Sequence, residues 1–162
     1  SGGHVTITES ALLNNTAAYG GALELYNGSA TIRNSTLAGN RALDSDLVTG
    51  GGGAIDQYFT YVEGNSSKET EVPVVLIVNS TIVNNEAVIG ARSGIWQENG
   101  RLQLRYSIVA NNGGGNCMVA PPNRQQYLTV GSLDSDGTCS AALRADPQLG
   151  PLGTGDGTPA IQ

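Results

Sequence analysis

The sequence predicts an all-β solenoid, in which short parallel strands from successive repeats stack on one another. The stretch ATIRNSTLAGNRA at residues 30–42 recurs in three variant forms, VTITESALLNNTA, VLIVNSTIVNNEA and LQLRYSIVANNGG. Apolar and polar residues alternate at the start of each copy, as they do in a strand with one buried face. Glycine is abundant, at 23 of 162 residues, and only 14% of the residues are charged, which is unfavourable for helices.

Alignment of the four copies gives three apolar and two polar columns. The apolar columns are Val5, Ala30, Val75 and Leu102; Ile7, Ile32, Ile77 and Leu104; and Leu12, Leu37, Ile82 and Val109. The polar columns are Ser10, Ser35, Ser80 and Ser107, and Asn15, Asn40, Asn85 and Asn112. The copies begin 25, 45 and 27 residues apart, so an insertion of about 20 residues separates the second copy from the third.

Each copy predicts two strands, and a third strand follows it. The first two apolar columns lie in the first strand, the serine permits an inward bend, and the third apolar column lies in the second strand. The third strand signal reads GGALELY at 20–26, GGAIDQY at 52–58 and SGIWQEN at 93–99, with glycine at the preceding corner. Such a unit, repeated about every 25 residues, is typical of solenoids, because stacking buries the aliphatic columns that one unit cannot bury alone.

The asparagine column predicts both a corner and a ladder. Asparagine tolerates the left-handed backbone conformation, and its side chain bonds readily to nearby backbone groups. We therefore expect the four column asparagines to turn the chain and to hydrogen-bond to one another along the stack.

Composition excludes two classes of partner. A formal net charge of −6 is unsuited to nucleic acid, which is bound by clusters of lysine and arginine. No apolar run reaches the roughly 18 to 20 residues that span a bilayer, so no membrane insertion is expected. The two cysteines, Cys117 and Cys139, suggest a disulfide formed in an oxidising compartment, and a pair of free thiols is the alternative.

The repeats resemble those of bacterial polymorphic outer-membrane proteins. The matching motifs are LLNN, LAGN, IVNN and VANN, with GGAL and GGAI, although Leu, Ile or Val replaces the family's usual Phe and the third corner reads RSGI. The tail, GSLDSDGTC followed by ADPQLGPLGTGDGTPAI, is similar to the C-terminal region of β-helical surface proteins of the choice-of-anchor type. Both resemblances imply a right-handed, single-stranded parallel β-helix of about four coils in a secreted or surface-located bacterial protein.

The end of the repeats divides the chain into two regions. Residues 1–112 are predicted to form the β-helix, with insertions near 43–50 and 59–73 that project as loops. Residues 113–162 are predicted to form a loop-rich C-terminal cap, which covers the open end of the stack. The N-terminal end has no matching cap, so we expect either that the chain is part of a longer β-helical protein or that a helical cap is supplied elsewhere.

The third-strand signals supply the candidate binding residues. Their inward residues are expected to be Leu23, Ile55 and Ile95. Their outward residues are expected to be Glu24, Asp56 and Trp96 in one column, and Tyr26, Tyr58 and Glu98 in the next. Neighbouring carboxylates suit a shared cation or acid–base work on a sugar, and an aromatic strip suits stacking against a pyranose ring. The alternatives are solvated surface acids, and aromatic residues that pack beneath the 59–73 loop.

Signals for catalysis and for metal binding are incomplete, so no catalytic residue is assigned. A lyase needs a basic group beside its acidic sugar, but Arg33 and Arg105 lie in the outward column of the first strand, away from the candidate acids. The single histidine, His4, offers a poor basis for a serine triad. The remaining candidates for calcium ligands are Asp44, Asp46, Asp134 and Asp136. Neither DSD segment follows a full EF-hand loop, so turn-forming aspartates are favoured and no cofactor is expected.

The sequence therefore predicts an extracellular or bacterial cell-surface module that is non-catalytic and binds a polysaccharide, a surface glycan or another surface. The candidate binding residues are Glu24, Tyr26, Asp56, Tyr58 and Trp96. Two alternatives stay open: a polysaccharide lyase or glycoside hydrolase that acts on an acidic glycan, and a purely structural stalk.

Overall fold

The computed structural model describes residues 2–43, 51–60, 72–88, 94–119 and 127–150. Within these ranges the protein is all-β, with parallel strands in four sheets, and none of the described residues belongs to a helix. The predicted all-β class and parallel pairing are confirmed. No helix in these ranges is long and apolar enough to cross a membrane.

Four sheets, named A to D, contain the strands. Sheet A has the order β1 (His4–Thr8), β5 (Ser29–Arg33), β9 (Val74–Val78), β13 (Arg101–Arg105) and β16 (Tyr127–Val130). Sheet B has the order β17 (Leu133–Asp134), β14 (Ile108–Ala110), β10 (Thr81–Val83), β6 (Thr36–Ala38) and β2 (Ala11–Leu13). Sheet C has the order β11 (Glu86–Ala87), β7 (Arg41–Ala42) and β3 (Thr16–Ala17). Sheet D has the order β15 (Cys117–Val119), β12 (Ile95–Glu98), β8 (Ile55–Tyr58) and β4 (Leu23–Tyr26).

Neighbouring strands come from successive repeats and pair in the register that the aligned columns predict. In sheet A, Val75 pairs with Ala30 on one side and with Leu102 on the other. In sheet B, Leu37 pairs with Leu12 and Ile82 in the same way. The predicted insertions fall between β7 and β8 and between β8 and β9, and residues 44–50 and 61–71 within them lie outside the described ranges.

The aliphatic columns form the core. Their fully buried members include Ala30, Ile32, Leu37, Ile77, Ile82, Leu102, Leu104 and Val109. Burial of each large aliphatic side chain contributes roughly 1.5 to 3 kcal/mol, so each repeat stabilises its neighbours mainly through these columns. The first repeat differs, because β1 and β2 are edge strands with a partner on one side only: Val5 is 38% exposed, and Ile7 and Leu12 are half-buried.

The left-handed corners and the asparagine ladder belong to different residues. Positive φ angles occur at Asn14 (53°), Asn84 (55°) and Asn111 (54°), each of which immediately precedes a column asparagine. The prediction that the column asparagines themselves make the left-handed turn was wrong. Because the preceding residue takes the turn, the column asparagine is free to point its side chain along the stack.

The predicted asparagine ladder is confirmed. The Asn40 Nδ2 group donates to Asn85 Oδ1 at 2.9 Å, and the Asn85 Nδ2 group donates to Asn112 Oδ1 at the same distance. The backbone N–H groups of Asn40 and Asn85 donate to the same two oxygens. A parallel ladder joins the serine column, since the Ser35 N–H donates to Ser80 Oγ at 3.1 Å. Polar side chains thus satisfy the backbone donors at two corners of every repeat.

The sheets continue past residue 112, where the repeats were predicted to end. Strands β15, β16 and β17 pair in parallel with β12, β13 and β14. Ser132 extends the serine column, because its Oγ accepts from the Ser107 N–H at 3.1 Å. Parallel pairing with the preceding repeat thus continues in Cys117–Val119, Tyr127–Val130 and Leu133–Asp134. The division into regions 1–112 and 113–162 remains a prediction.

A disulfide and a buried polar cluster lie at the C-terminal end of the sheets. Cys117 and Cys139 form the predicted disulfide, with Cα atoms 5.0 Å apart and both residues buried. Asp134 is completely buried in the core column beside Val109. Its two carboxylate oxygens accept from Asn116 Nδ2 at 2.7 Å and from the Cys139 N–H at 2.6 Å. These bonds compensate for the burial of a charged group where earlier repeats have an aliphatic residue.

Candidate functional site

Sheet D brings the predicted binding residues together. The chain enters its strands through glycine corners: a Cβ atom at Gly52 would lie 1.6 Å from the carbonyl oxygen of Ile55, so no other residue fits there. The first outward column pairs Glu24 with Asp56 and Asp56 with Trp96. The second pairs Tyr26 with Tyr58 and Tyr58 with Glu98. The structure therefore places all five candidate residues, together with Glu98, on three neighbouring strands.

Tyr26 and Tyr58 form a stacked aromatic pair. Their ring centroids lie 5.7 Å apart, and the ring planes differ by 17°. Tyr26 is 65% exposed, whereas Tyr58 is half-buried. The strand register causes this stacking, because parallel strands place paired residues on the same side about 4.8 Å apart. Because stacking covers the ring surfaces that face each other, the exposed aromatic surface of the pair belongs mainly to Tyr26.

Asp56 does not present an exposed carboxylate. It is only 5% exposed, although Glu24 on the adjacent strand is exposed. Strands β4 and β12 flank Asp56 on both sides, and Trp96 occupies the neighbouring position on β12. The expectation of two neighbouring acids on an open surface was therefore wrong for Asp56, because the bulk of an adjacent side chain cannot be read from one strand. Only Glu24 of this pair is available to a ligand at the surface.

Trp96 lies between Asp56 and Met118 in its column and is half-buried. Its indole nitrogen is buried. Trp96 thus supports the sheet surface more than it projects from it. The exposed aromatic area of this surface is at Tyr26.

Glu98 extends the tyrosine column, since it pairs with Tyr58. Partial burial raises the pKa of the Glu98 carboxyl above its ordinary value, because desolvation disfavours the charged form. A half-buried carboxyl beside an aromatic surface is suited to hydrogen bonds with hydroxyl groups. Together with Glu24, Tyr26 and Tyr58 it defines what we call the tyrosine face.

Two buried glutamines lie beneath the tyrosine face and were not predicted. Gln57 and Gln97 are paired on neighbouring strands and point inward, in the column of Leu25. The Gln97 Nε2 group donates to Gln57 Oε1, and the Gln57 Nε2 group donates to the Gly28 carbonyl oxygen at 3.0 Å. Side chains alternate between the two faces of a strand, and both glutamines lie two residues after an inward isoleucine. This spacing could have identified them as inward-facing.

The described residues do not assemble the basic group that a lyase needs. Arg33 and Arg105 lie on sheet A, and the candidate acids lie on sheet D. His4 lies on edge strand β1, where its Nε2 atom is 3.1 Å from the Thr31 hydroxyl.

The candidate calcium ligands fall into two groups. Asp44 and Asp46 lie outside the described residues. Asp134 is engaged by Asn116 and Cys139, and the Asp136 Oδ1 atom accepts from the Thr138 hydroxyl at 2.7 Å. Among the residues described, no group of three or more His, Cys, Asp or Glu side chains is arranged to hold a metal ion.

Comparisons with models of protein families, with characterised proteins and with solved structures found no match to this chain. The resemblance carried by the repeat and tail motifs therefore remains a prediction. The sheets and the tyrosine face rest on the residues themselves.

Proposed function

We propose that this chain is a right-handed parallel β-helix of a secreted or cell-surface bacterial protein, and that it binds carbohydrate through the tyrosine face without catalysing a reaction. The observation that carries the binding proposal is the stacked Tyr26–Tyr58 pair, in which Tyr26 is 65% exposed. A pyranose ring has an apolar face of C–H groups that packs on such a surface, while its hydroxyl groups bond to carboxylates at the rim. Glu24 and Glu98 stand in the positions for that role.

The β-helix proposal is supported by the strand order. Neighbouring strands in every sheet come from successive repeats, and every strand pair in the described residues is parallel. Two hydrogen-bonded side-chain ladders follow the same direction as the pairing. Both features are what a solenoid of short strands requires.

An extracellular location is supported by the disulfide. Cys117 and Cys139 are bonded, and such bonds persist in oxidising compartments. The resemblance to bacterial surface proteins points to the same location.

The non-catalytic proposal is supported by the burial of Asp56. The lyase or hydrolase alternative needs a reactive carboxylate and a partner group on one accessible surface. Asp56 is buried, and Arg33 and Arg105 lie on a different sheet.

A cross-linking experiment tests the β-helix. Thr31 pairs with Leu76 across 45 residues of sequence, so the double variant Thr31→Cys/Leu76→Cys should form a disulfide under mild oxidation. In the control, Thr31→Cys/Val74→Cys, the second cysteine lies two residues, or roughly 7 Å, away from the register position along β9. This control should therefore not form a disulfide. Peptide mapping by mass spectrometry distinguishes the two. Bonding in the control but not in the register pair would contradict the proposed stacking.

A glycan array tests the binding proposal. The wild-type protein should bind at least one class of glycan saturably, and Tyr26→Ala and Tyr58→Ala should each weaken that binding at least about tenfold. The matched control is Tyr106→Asn, because Tyr106 is an equally exposed tyrosine on another corner, and asparagine tolerates its positive φ of 51°.

Three outcomes would overturn the binding proposal. Binding that survives both tyrosine variants would place the ligand elsewhere. An array without any hit would favour the structural stalk. Turnover of an acidic glycan that is abolished by Asp56→Asn would favour the enzyme.

A further inference from the structure

The outer surface of sheet A differs in charge from the rest of the protein. Its outward residues alternate with the buried aliphatic columns along β5, β9, β13 and β16. They include Arg33, Leu76, Val78, Arg101, Gln103, Arg105, Leu128 and Val130, which we call the arginine face. None of the outward positions of β1, β5, β9, β13 and β16 is acidic. The whole chain has a net charge of −6, yet three of its eight lysine and arginine residues lie on this one face.

Two of these arginines have their charged groups available at the surface. Arg33 and Arg105 are exposed, and neither forms an ion pair within the described residues. By contrast, Arg41 on sheet C pairs with Glu86. The Arg105 guanidinium makes only a long contact of 3.4 Å with Gln103 Oε1. Glu9 lies at the corner directly after β1, where its backbone N–H donates to the Arg33 carbonyl oxygen at 3.0 Å. The Arg33 and Arg105 guanidinium groups are thus positive charges that no ion pair with a described residue neutralises.

The arginines occupy alternate levels of one column. Arg33 pairs with Val78, and Val78 pairs with Arg105. Since paired parallel strands lie about 4.8 Å apart, the two guanidinium groups emerge from backbones roughly 10 Å apart, with an aliphatic side chain between them. A second aliphatic side chain follows Arg105, because Val130 is next in the column and is 42% exposed.

We propose that the arginine face binds a linear anionic polysaccharide in which charged and uncharged sugars alternate. Such a chain would lie across the strands, because a sugar unit advances by about the spacing of two neighbouring strands. Each guanidinium would then meet a carboxylate or sulfate in a bidentate pair, and the sugar between them would pack on Val78. This inference does not depend on the tyrosine face, which lies on a different sheet.

Two other anionic partners match the geometry less well. An extended acidic peptide advances about 3.3 Å per residue, so its side chains fall out of step with the strand spacing. A membrane surface is bound by apolar side chains that enter the lipid. Val78, which lies between the two arginines, is instead half-buried in the sheet surface. The exposed aliphatic residues of the face, Leu128 and Val130, lie on the edge strand β16.

Isothermal titration tests the proposal with hyaluronan oligosaccharides, whose carboxylates alternate with neutral sugars. Wild-type protein should bind them at low salt, and the affinity should fall as salt is raised. The double variant Arg33→Gln/Arg105→Gln should lose at least about tenfold in affinity. Arg41→Gln, an exposed arginine on sheet C, should leave it unchanged. Tyr26→Ala should also leave it unchanged, which separates this surface from the tyrosine face. Equal thermal unfolding midpoints would show that the variants fold.

Parallel titrations identify the anionic group and the class of partner. Chondroitin sulfate in place of hyaluronan distinguishes recognition of sulfate from recognition of carboxylate, and dextran serves as the neutral control. Polyglutamate and phosphatidylserine vesicles represent the peptide and the membrane. The proposal is overturned if neither charged glycan binds, if Arg41→Gln weakens binding as much as the double variant, or if polyglutamate or vesicles bind more tightly than both glycans.

Discussion

The Asn112 Nδ2 group donates to Asn116 Oδ1 at 3.0 Å, although only four residues separate the two. Every earlier step of the asparagine ladder joins residues that are 25, 45 or 27 positions apart. The loop after β14 thus supplies from nearby sequence the amide that a further repeat would have supplied. Asn116 also donates to Asp134 and so links the ladder to the buried carboxylate. The C-terminal end of the stack is closed by this pair of contacts as well as by the disulfide.

The ladder predicts a strong dependence of stability on its central member. Asn85→Ala would remove the acceptor of the Asn40 N–H and side-chain groups and would leave both donors buried. We expect the free energy of unfolding to fall by about 2 to 4 kcal/mol, measured by urea denaturation. Asn15→Ala is the matched control at the exposed end of the ladder, where the loss should be under about 1 kcal/mol. Equal losses at both positions would contradict a role for burial.

The buried glutamine pair predicts non-additive substitutions. Gln57→Leu leaves the Gln97 amide without its acceptor, so it should destabilise the protein by about 1 to 3 kcal/mol. Gln57→Leu/Gln97→Leu removes both amides from the core and restores an aliphatic column above Leu25, so it should cost less than the single variant. A double-mutant cycle by urea denaturation checks this, and strictly additive losses would show that the two amides do not act as a pair.

Burial raises the pKa of Asp134, and the opposing hydrogen bond from Asn116 does not cancel the rise. The folded state therefore holds this proton more tightly than the unfolded chain does. Stability from this group is greatest below the ordinary value of 3.8 and falls as the pH rises through the higher folded-state pKa. We expect Asp134→Asn to make the loss of stability as the pH rises above 3.8 shallower than in the wild type.

Asp136→Asn is the control for this pH dependence. Burial acts to raise the pKa of Asp136, but hydrogen bonds from Thr138 outweigh it, so the pKa lies below its ordinary value. Its contribution is present above that ordinary value and is lost as the pH falls through the folded-state pKa. Asp136 also helps to raise the pKa of Asp134, so this variant should remove stability at acid pH and should reduce, without abolishing, the loss of stability at higher pH. If Asp136→Asn left stability at acid pH unchanged, the lowered pKa assigned to Asp136 would be wrong.

The register of the sheets could be predicted because each column repeats one residue type. Serine is aligned with serine and asparagine with asparagine in all four copies, so residues in one column of the alignment were correctly predicted to pair across neighbouring strands. The pairing of β16 and β17 with the fourth repeat could not be predicted in this way, because these strands lack the residue types of the columns. Thr129 and Asp134 occupy their core positions, and Asn116 joins the ladder from outside the period.

Exposure in the candidate site was harder to predict than position. The sequence placed Asp56 and Tyr26 on the same outward side of sheet D, and the register confirms that placement. Burial, however, depends on the size of side chains on neighbouring strands, which differs from one repeat to the next. This is why Asp56 is buried while Tyr26 is 65% exposed.

The most direct test of carbohydrate binding at the tyrosine face is a proton NMR titration of a glycan selected on the array. A sugar that stacks on Tyr26 should show upfield shifts of its C–H protons, because they lie above an aromatic ring. Tyr26→Leu keeps an apolar side chain but removes the ring, so it should abolish these shifts and weaken binding. Tyr106→Asn should change neither the shifts nor the affinity. Unchanged shifts and affinity in Tyr26→Leu would contradict the assignment of the tyrosine face.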